Sequence, residues 1–425
     1  MNRVFSLIII QNFTAFICNA QYISTVAGGA VGYADGAANA AQFYNPSGLC
    51  ADSFGNLYIA DQYNQKIRKI DANNYVTTIA GANPGYVDGP IAQAKFSYPY
   101  SICIDTAQNL YVADYYNHKI RKITPLGNVT TLAGSSQGFA NGNGVLAKFN
   151  YPTGVCADVL GNIYVSDRDN HKIRKITPLG IVSTLAGSTQ GYLDATGTFA
   201  KFNTPLGVCV DAAGNVYVTD RYNDKIRKVT PTGVVSTFAG TTTGYTDSTG
   251  NAAQFNIPIG ICVDAAGNVY VADSGNNKIR KITPTGYVTT LAGSTNGFAD
   301  GDVSSAQFNI PYGVCVDATG NVFVADYSNH KIRVIAEVTT STKNIANADE
   351  VQIFPNPAKS ILNIKTNFTL GNAVIIITDV VGKSITVENL TNITSFVDIS
   401  KLSSGIYFAT ISSVNKSIVR KFVIE

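Results

Sequence analysis

A chain of 425 residues has room for two or three domains. Charged residues make up only 14%, with 38 Gly, 23 Tyr and 20 Phe and no Trp. That balance suits short strands joined by glycine turns and argues against long surface helices, which need more Glu, Lys and Leu. The net charge of +3, with Lys and Arg spread evenly, gives no basis for expecting a nucleic-acid partner.

The first residues read as a secretory signal. Arg3 supplies a positive start, Val4–Ile10 and Phe13–Cys18 are apolar, and Ala20 offers a small residue for cleavage. The expected signal peptide is therefore 1–20. Gln11 and Asn12 interrupt a run already short for a bilayer.

From residue 21 one pattern governs the chain. Asp61, Asp114, Asp167, Asp220, Asp273 and Asp326 are each 53 residues apart, so six copies follow without insertion or deletion. Residues 202–240 show one copy in full. Leu206–Asp211 is an apolar strand, Val216–Asp220 an alternating one, Lys225–Val229 a third and Val234–Gly240 a fourth, with Gly, Asn and Pro turns between. A four-stranded sheet apolar on both faces needs a neighbour on each side. Six in a ring make a six-bladed β-propeller. The last copy stops at Ile335 without a fourth strand, and a spare strand stands at Ile23–Gly28. The N-terminal strand is expected to complete the sixth blade and close the ring.

Six mature cysteines in an exported chain suggest three disulfides. Here Cys50, Cys103, Cys156, Cys209, Cys262 and Cys315 also recur every 53 residues, within apolar strands. Buried free thiols packing as small hydrophobes are the better reading.

The period ends after residue 336. Residues 337–350 are polar and read as a linker. Residues 351–425 hold short apolar strands, among them Leu362–Ile364, Ala373–Ile377 and Ile406–Ile411, separated by turn signals such as Pro355-Asn356-Pro357. A small β-sandwich is expected, making the chain all-β throughout.

Gly267-Asn268-Val269-Tyr270-Val271-Ala272-Asp273, followed by Asn276 and Lys278-Ile279-Arg280, resembles the NHL repeat, and so do its other copies across 21–336. The resemblance implies a propeller that binds proteins, nucleic acids or glycans; a few six-bladed relatives are lyases or lactonases. In the tail, Pro355, Asn356, Pro357, Asp379, Gly382, Lys383, Gly405 and Tyr407 stand in motifs that look like the type IX secretion (Por) C-terminal sorting domain of Bacteroidetes. That resemblance implies type IX machinery as a partner and a secreted or outer-membrane-surface location.

Residues present in every copy read as frame. The repeated Asp is expected to hold its turn through backbone hydrogen bonds. Arg68, Arg121, Arg174, Arg227, Arg280 and Arg333 are expected to pair with carboxylates between blades. His118, His171 and His330 share one position, where other copies have Gln65, Asp224 and Asn277, and ring geometry should hold them too far apart for a shared metal. Asp35, Asp88, Asp194, Asp247 and Asp300, with Asn141 in the remaining copy, read as capped turns rather than calcium loops. No catalytic group, metal site or cofactor is assigned.

The informative positions vary within this frame. The lead-in before each first strand and the turn between the second and third strands open on one face. There the copies place Tyr63, Tyr100, Tyr115, Tyr116, Arg168, Asp169, Arg221, Tyr222, Tyr312 and Tyr327. Tyr and Arg dominate recognition surfaces. The expectation is a monomeric binding or adhesion module for a protein or glycan ligand. A metal-dependent lyase or lactonase, and a ligand-free spacer, are the alternatives.

Overall fold

In the computed structural model each repeat forms one antiparallel sheet. The residues described are 20–338, 351–366, 373–379, 384–390, 394–413 and 416–425. The expected signal peptide up to residue 19, and residues 339–350 of the expected linker, lie outside them. The chain divides into two compact units, one ending at Val338.

In the first unit the first blade runs Pro46–Ala51, Leu57–Asp61, Lys66–Ile70 and Tyr75–Ala80 from the axis outward. The other blades repeat this order. One feature differs from the four-stranded expectation. Five of the six sheets carry an extra outermost strand of two residues, such as Gly36–Ala37 against Val76 and Tyr75. It comes from the Asp-Gly loop, which is too short to be legible as a strand. The fourth blade has four strands, with only a bridge between Thr196 and Val234 in that place.

The ring closes as expected. Ala20–Ala27 pairs antiparallel with Lys331–Val338, matching Ile23 to Ile335 and Tyr22 to Ala336. Ile23 is fully buried in the sixth blade's core, so closure rests on packing as well as on the ladder.

Alternation along each strand sends side chains to both blade faces. Ile120 packs with Phe149 and Val155 of the third blade, while Ile123 packs on the opposite face with Phe96 and Ile102, against Ala60 and Ile67 of the first blade. Burial of such an Ile contributes about 1.5–3 kcal/mol. Each blade's stability is therefore held in its interfaces, as the repeat logic requires. Near the axis the first strands approach closely. A Cβ on Gly313 would lie 2.2 Å from the Ser47 carbonyl oxygen of the next blade. In the second blade Ser101 takes the equivalent place, and there the bulge between first and second strands is resolved one residue earlier.

The second unit has two antiparallel sheets. Val351–Phe354, Ile361–Thr366 and Thr394–Asp398 form one; Ser384–Leu390, Ala373–Thr378, Gly405–Ser413 and Lys416–Ile424 form the other. Leu362, Ile364, Ile375, Ile377, Val397, Tyr407 and Phe422 share its buried core. Of the sorting motifs, Tyr407 lies in that core and its hydroxyl donates to the Ser403 carbonyl at 2.8 Å. Asn356, between Pro355 and Pro357, accepts the Val423 amide at 2.9 Å through its side-chain oxygen. Gly405 opens the long strand and Asp379 follows Ala373–Thr378. Gly382 and Lys383 fall outside the described residues.

Candidate ligand-binding face

The face is built on a polar frame repeated in every blade. Asp61 ends the second strand and is fully buried. Its Oδ1 accepts the Tyr44 amide at 2.9 Å, and its Oδ2 accepts from Asn64 at 2.8 Å and from Arg68 at 2.7 Å. The backbone donor is in the lead-in, seventeen residues earlier. The Asp therefore ties lead-in to turn: it holds the turn through the Asn64 side chain, and not through the turn's own backbone as expected from the sequence. Arg68, also fully buried, reaches Asp35 at 2.7 Å and the carbonyls of Gln42 and Ala34. Both carboxylates belong to the Arg's own repeat, so the expected pairing between blades is corrected to a clamp within one blade. The Asp-Gly loop is held by this clamp and by the outer strand: Asp35 also accepts the Thr78 amide at 2.9 Å. Burial pushes Asp61, Asp114 and Asp273 up to about 6, against the pull of Arg and the hydrogen bonds.

The blades are joined by the position that varies. His118 Nδ1 accepts the Tyr151 amide of the next lead-in at 3.2 Å, His171 accepts that of Thr204 at 3.2 Å, and His330 accepts that of Asn45 at 3.1 Å. Gln65, Asp224 and Asn277 do the same for Tyr98, Ile257 and Ile310. His, Gln, Asp and Asn share one property, a side-chain acceptor, and that explains the substitution pattern. The histidines are therefore joints between blades, with no part in a common site. Burial lowers the pKa of all three, with Lys119 and Lys331 adding to it at His118 and His330.

On this frame the variable residues assemble unevenly. The Tyr100 and Tyr312 hydroxyls meet at 3.0 Å, from blades that flank the first. Tyr312 stacks on Tyr327 at 4.3 Å, and Tyr327 reaches Tyr63 edge-on at 6.4 Å. On the other side Tyr100 lies 5.6 Å from Tyr115, which meets Tyr116 at 4.9 Å. Burial pushes Tyr115 up to about 12 although Arg168 pulls it down, and burial with Tyr312 raises Tyr100. The Arg168 guanidinium bonds the Tyr115 hydroxyl and lies 5.7 Å from its ring. Arg221 lies 4.6 Å over Tyr222.

Eight of the ten expected residues, Asp169 joined through Arg168, thus form one connected crescent over the sixth, first, second and third blades. Tyr222 is exposed and touches Arg221 but none of the other rings, which places this pair at the crescent's end. Three members were missed: Tyr44, Tyr98 and Tyr151, at 5.0 Å from Tyr63, 5.2 Å from Tyr63 and 4.8 Å from Tyr115. Their signal was present, since Tyr98 and Tyr151 directly precede the repeated Pro. In the fifth blade the corresponding residues are Ile257, Ile259, Ser274 and Gly275, so the crescent stops there.

Beneath the Tyr100–Tyr312 pair lies an axial cavity of about 160 Å³, lined by the six first strands. Glycine, aliphatic side chains and the six cysteines dominate the lining. The cysteines are free, and burial raises their pKa far above the thiol range, which leaves them inert. Among the described residues no three His, Cys, Asp or Glu side chains gather as a metal site.

Comparison with known proteins agrees with these two units. The NHL repeat family matches residues 96–123, 149–176, 202–228, 255–282 and 308–335, and the secretion system C-terminal sorting domain matches 352–425. The chain is an NHL-repeat propeller with a type IX sorting domain. The first copy lies outside the family matches, yet it folds as the same sheet with the same Asp61–Arg68 pair. The sorting domain directs the NHL propeller to the type IX secretion system, and so to the cell surface or beyond. The propeller is 30% identical over 318 residues to Arabidopsis thaliana protein SUPPRESSOR OF QUENCHING 1, covering 68% of this chain and 30% of that one. It is 30% identical over 323 residues to human NHL repeat-containing protein 2, covering 66% and 44%. The chain thus spans less than half of these relatives. Among solved structures, a Bacteroides thetaiotaomicron protein of unknown function aligns with a TM-score of 0.59 at 22% identity, covering 75% of this chain and 76% of that one. An auxiliary nutrient binding protein from the same organism aligns at 0.58 and 18%, covering 75% and 76%. At such identities the likeness establishes the fold.

Proposed function

We propose that the NHL propeller is an exported binding module and that the tyrosine crescent is its recognition surface. One observation carries this reading. The buried Asp–Arg pair recurs in all six blades, whereas the aromatic cluster covers only part of one face. A ligand-free spacer needs no such break in symmetry. The crescent offers tilted and edge-on rings with phenol hydroxyls among them, an apolar body with a polar tip that suits a glycan or a protein surface. The name of the nutrient binding neighbour supports a binding role of this kind. The axial lining of glycine, aliphatic and cysteine residues offers nothing that favours the lyase or lactonase alternative.

The test is a screen of the full chain against glycans and cell-surface proteins. Tyr63 and Tyr116 are 42% and 49% exposed, so their replacement by Ala leaves the core untouched. A ligand whose affinity falls when both are replaced supports the proposal. Ligands that all survive the change remove this face from consideration.

A further inference from the structure

The crescent ends in an imbalance of charge. Arg168 and Arg221 stand at equivalent positions of the third and fourth blades, each at the start of the turn after the second strand. Six other arginines serve the frame, every one fully buried and paired with an Asp. These two are different. Arg168 has a single carboxylate, Asp169 at 3.3 Å, itself half-exposed. The Arg221 side chain has no ion pair or hydrogen bond among the described residues, and its Nε is buried without a partner. Asp224 is near in sequence but committed: one oxygen accepts the Ile257 amide at 2.8 Å and the other the Thr243 hydroxyl at 2.6 Å. Both arginines open the turn after the second strand, and those turns lie on the same face as the lead-ins that carry Tyr100 and Tyr312.

We infer that this end of the face takes the carboxylate of an acidic saccharide, with its sugar rings running along Tyr115, Tyr100 and Tyr312. The inference rests on the crescent being the binding surface. The chemistry follows from what the site lacks. A partly buried guanidinium with donors left unpaired favours an incoming anion, and a planar carboxylate meets its fork through two parallel hydrogen bonds. A uronic acid presents that carboxylate beside flat C–H faces that suit phenol rings. Its hydroxyls find phenol hydroxyls. Single-stranded nucleic acid also stacks on Tyr and Arg, but it needs a basic groove that tracks a long backbone. Here one of the two guanidiniums already pairs with Asp169, and the whole chain carries only +3.

The experiment is calorimetric titration of the full chain with hexasaccharides of galacturonate, mannuronate and glucuronate-containing chondroitin, each beside its methyl ester. At least one acid form should bind about tenfold or more tighter than its ester, the effect of one charge-assisted hydrogen bond. Added salt should narrow that gap. In Arg168→Gln with Arg221→Gln the gap between acid and ester should vanish. Arg221→Gln alone breaks no ion pair, so it keeps the test open if the double variant folds poorly. Equal binding of acid and ester in every pair, no binding of any of them, or a gap that survives in the variants would overturn the inference. If a neutral glycan or a protein then binds in a Tyr63- and Tyr116-dependent way, the crescent stands and only the acidic ligand is lost. If no ligand depends on those tyrosines, both fall.

Discussion

The histidine joints make stability depend on pH in a way that can be isolated. His118, His171 and His330 act as neutral acceptors for backbone amides across three of the six blade interfaces. Their folded-state pKa lies below the ordinary value. Their stabilisation is therefore fully present above about pH 6.5, the unfolded value, and is lost as pH falls from there through the lower folded value. The rings are half-buried, so a protonated ring can turn its charge to water and the loss is close to one hydrogen bond, about 1 kcal/mol each. Three joints give about 3 kcal/mol, or roughly 3–5 °C in Tm for a chain of this size. Gln65 does the same work in the first blade, so the variant H118Q/H171Q/H330Q keeps the acceptors and removes the titration. Asp61, Asp114 and Asp273 titrate in the same window with the opposite sign, but they are common to both proteins and cancel in the difference. Melting curves between about pH 7.5 and about pH 5 should show the wild type losing more than the variant. Parallel curves would refute the assignment of these residues as joints.

Three further outcomes are expected. Asn141 stands where five blades have Asp, and Arg174 consequently has one carboxylate, Asp167; Asn141→Asp should raise stability by about 0.5–1 kcal/mol, limited because the position is solvated, and urea unfolding reads it. Ile310 is 40% exposed and sits at φ +52°, where Asn45 serves the equivalent lead-in at the same φ. Ile310→Asn should stabilise by about 0.5–1 kcal/mol, since a β-branched residue is strained there, and a lower Tm would contradict it. Deleting residues 20–27 opens the ring; Ile23 alone accounts for about 2–5 kcal/mol, so the truncated chain should unfold at a clearly lower temperature than the intact one, and an unchanged midpoint would mean that the first strand does not close the propeller.

The fold was legible because it is written six times. The fixed spacing of Asp61 and its equivalents set the blades, and the missing fourth strand after Ile335 set the closure. What repetition could not show is which partner each group takes. Arg68 and Asp35 are far apart in sequence, and nothing in a pattern says whether their contact lies within a blade or between two. The two-residue outer strand carries no alternation and so leaves no periodic signal. The His, Gln, Asp and Asn set looked like drift at a turn until its hydrogen bonds identified the shared acceptor. The face followed from strand direction alone. The crescent did not, since only the ring geometry brings Tyr100 and Tyr312 together over the first blade.

The most direct test of the recognition surface is hydrogen exchange on the full chain with and without the tightest ligand from the screen. Protection should fall on the lead-ins and turns that carry Tyr44, Tyr63, Tyr98, Tyr115, Tyr116 and Tyr151. Protection on the opposite turns instead, such as Asp52–Asn56 and Thr124–Asn128, would show that the propeller binds through its other face.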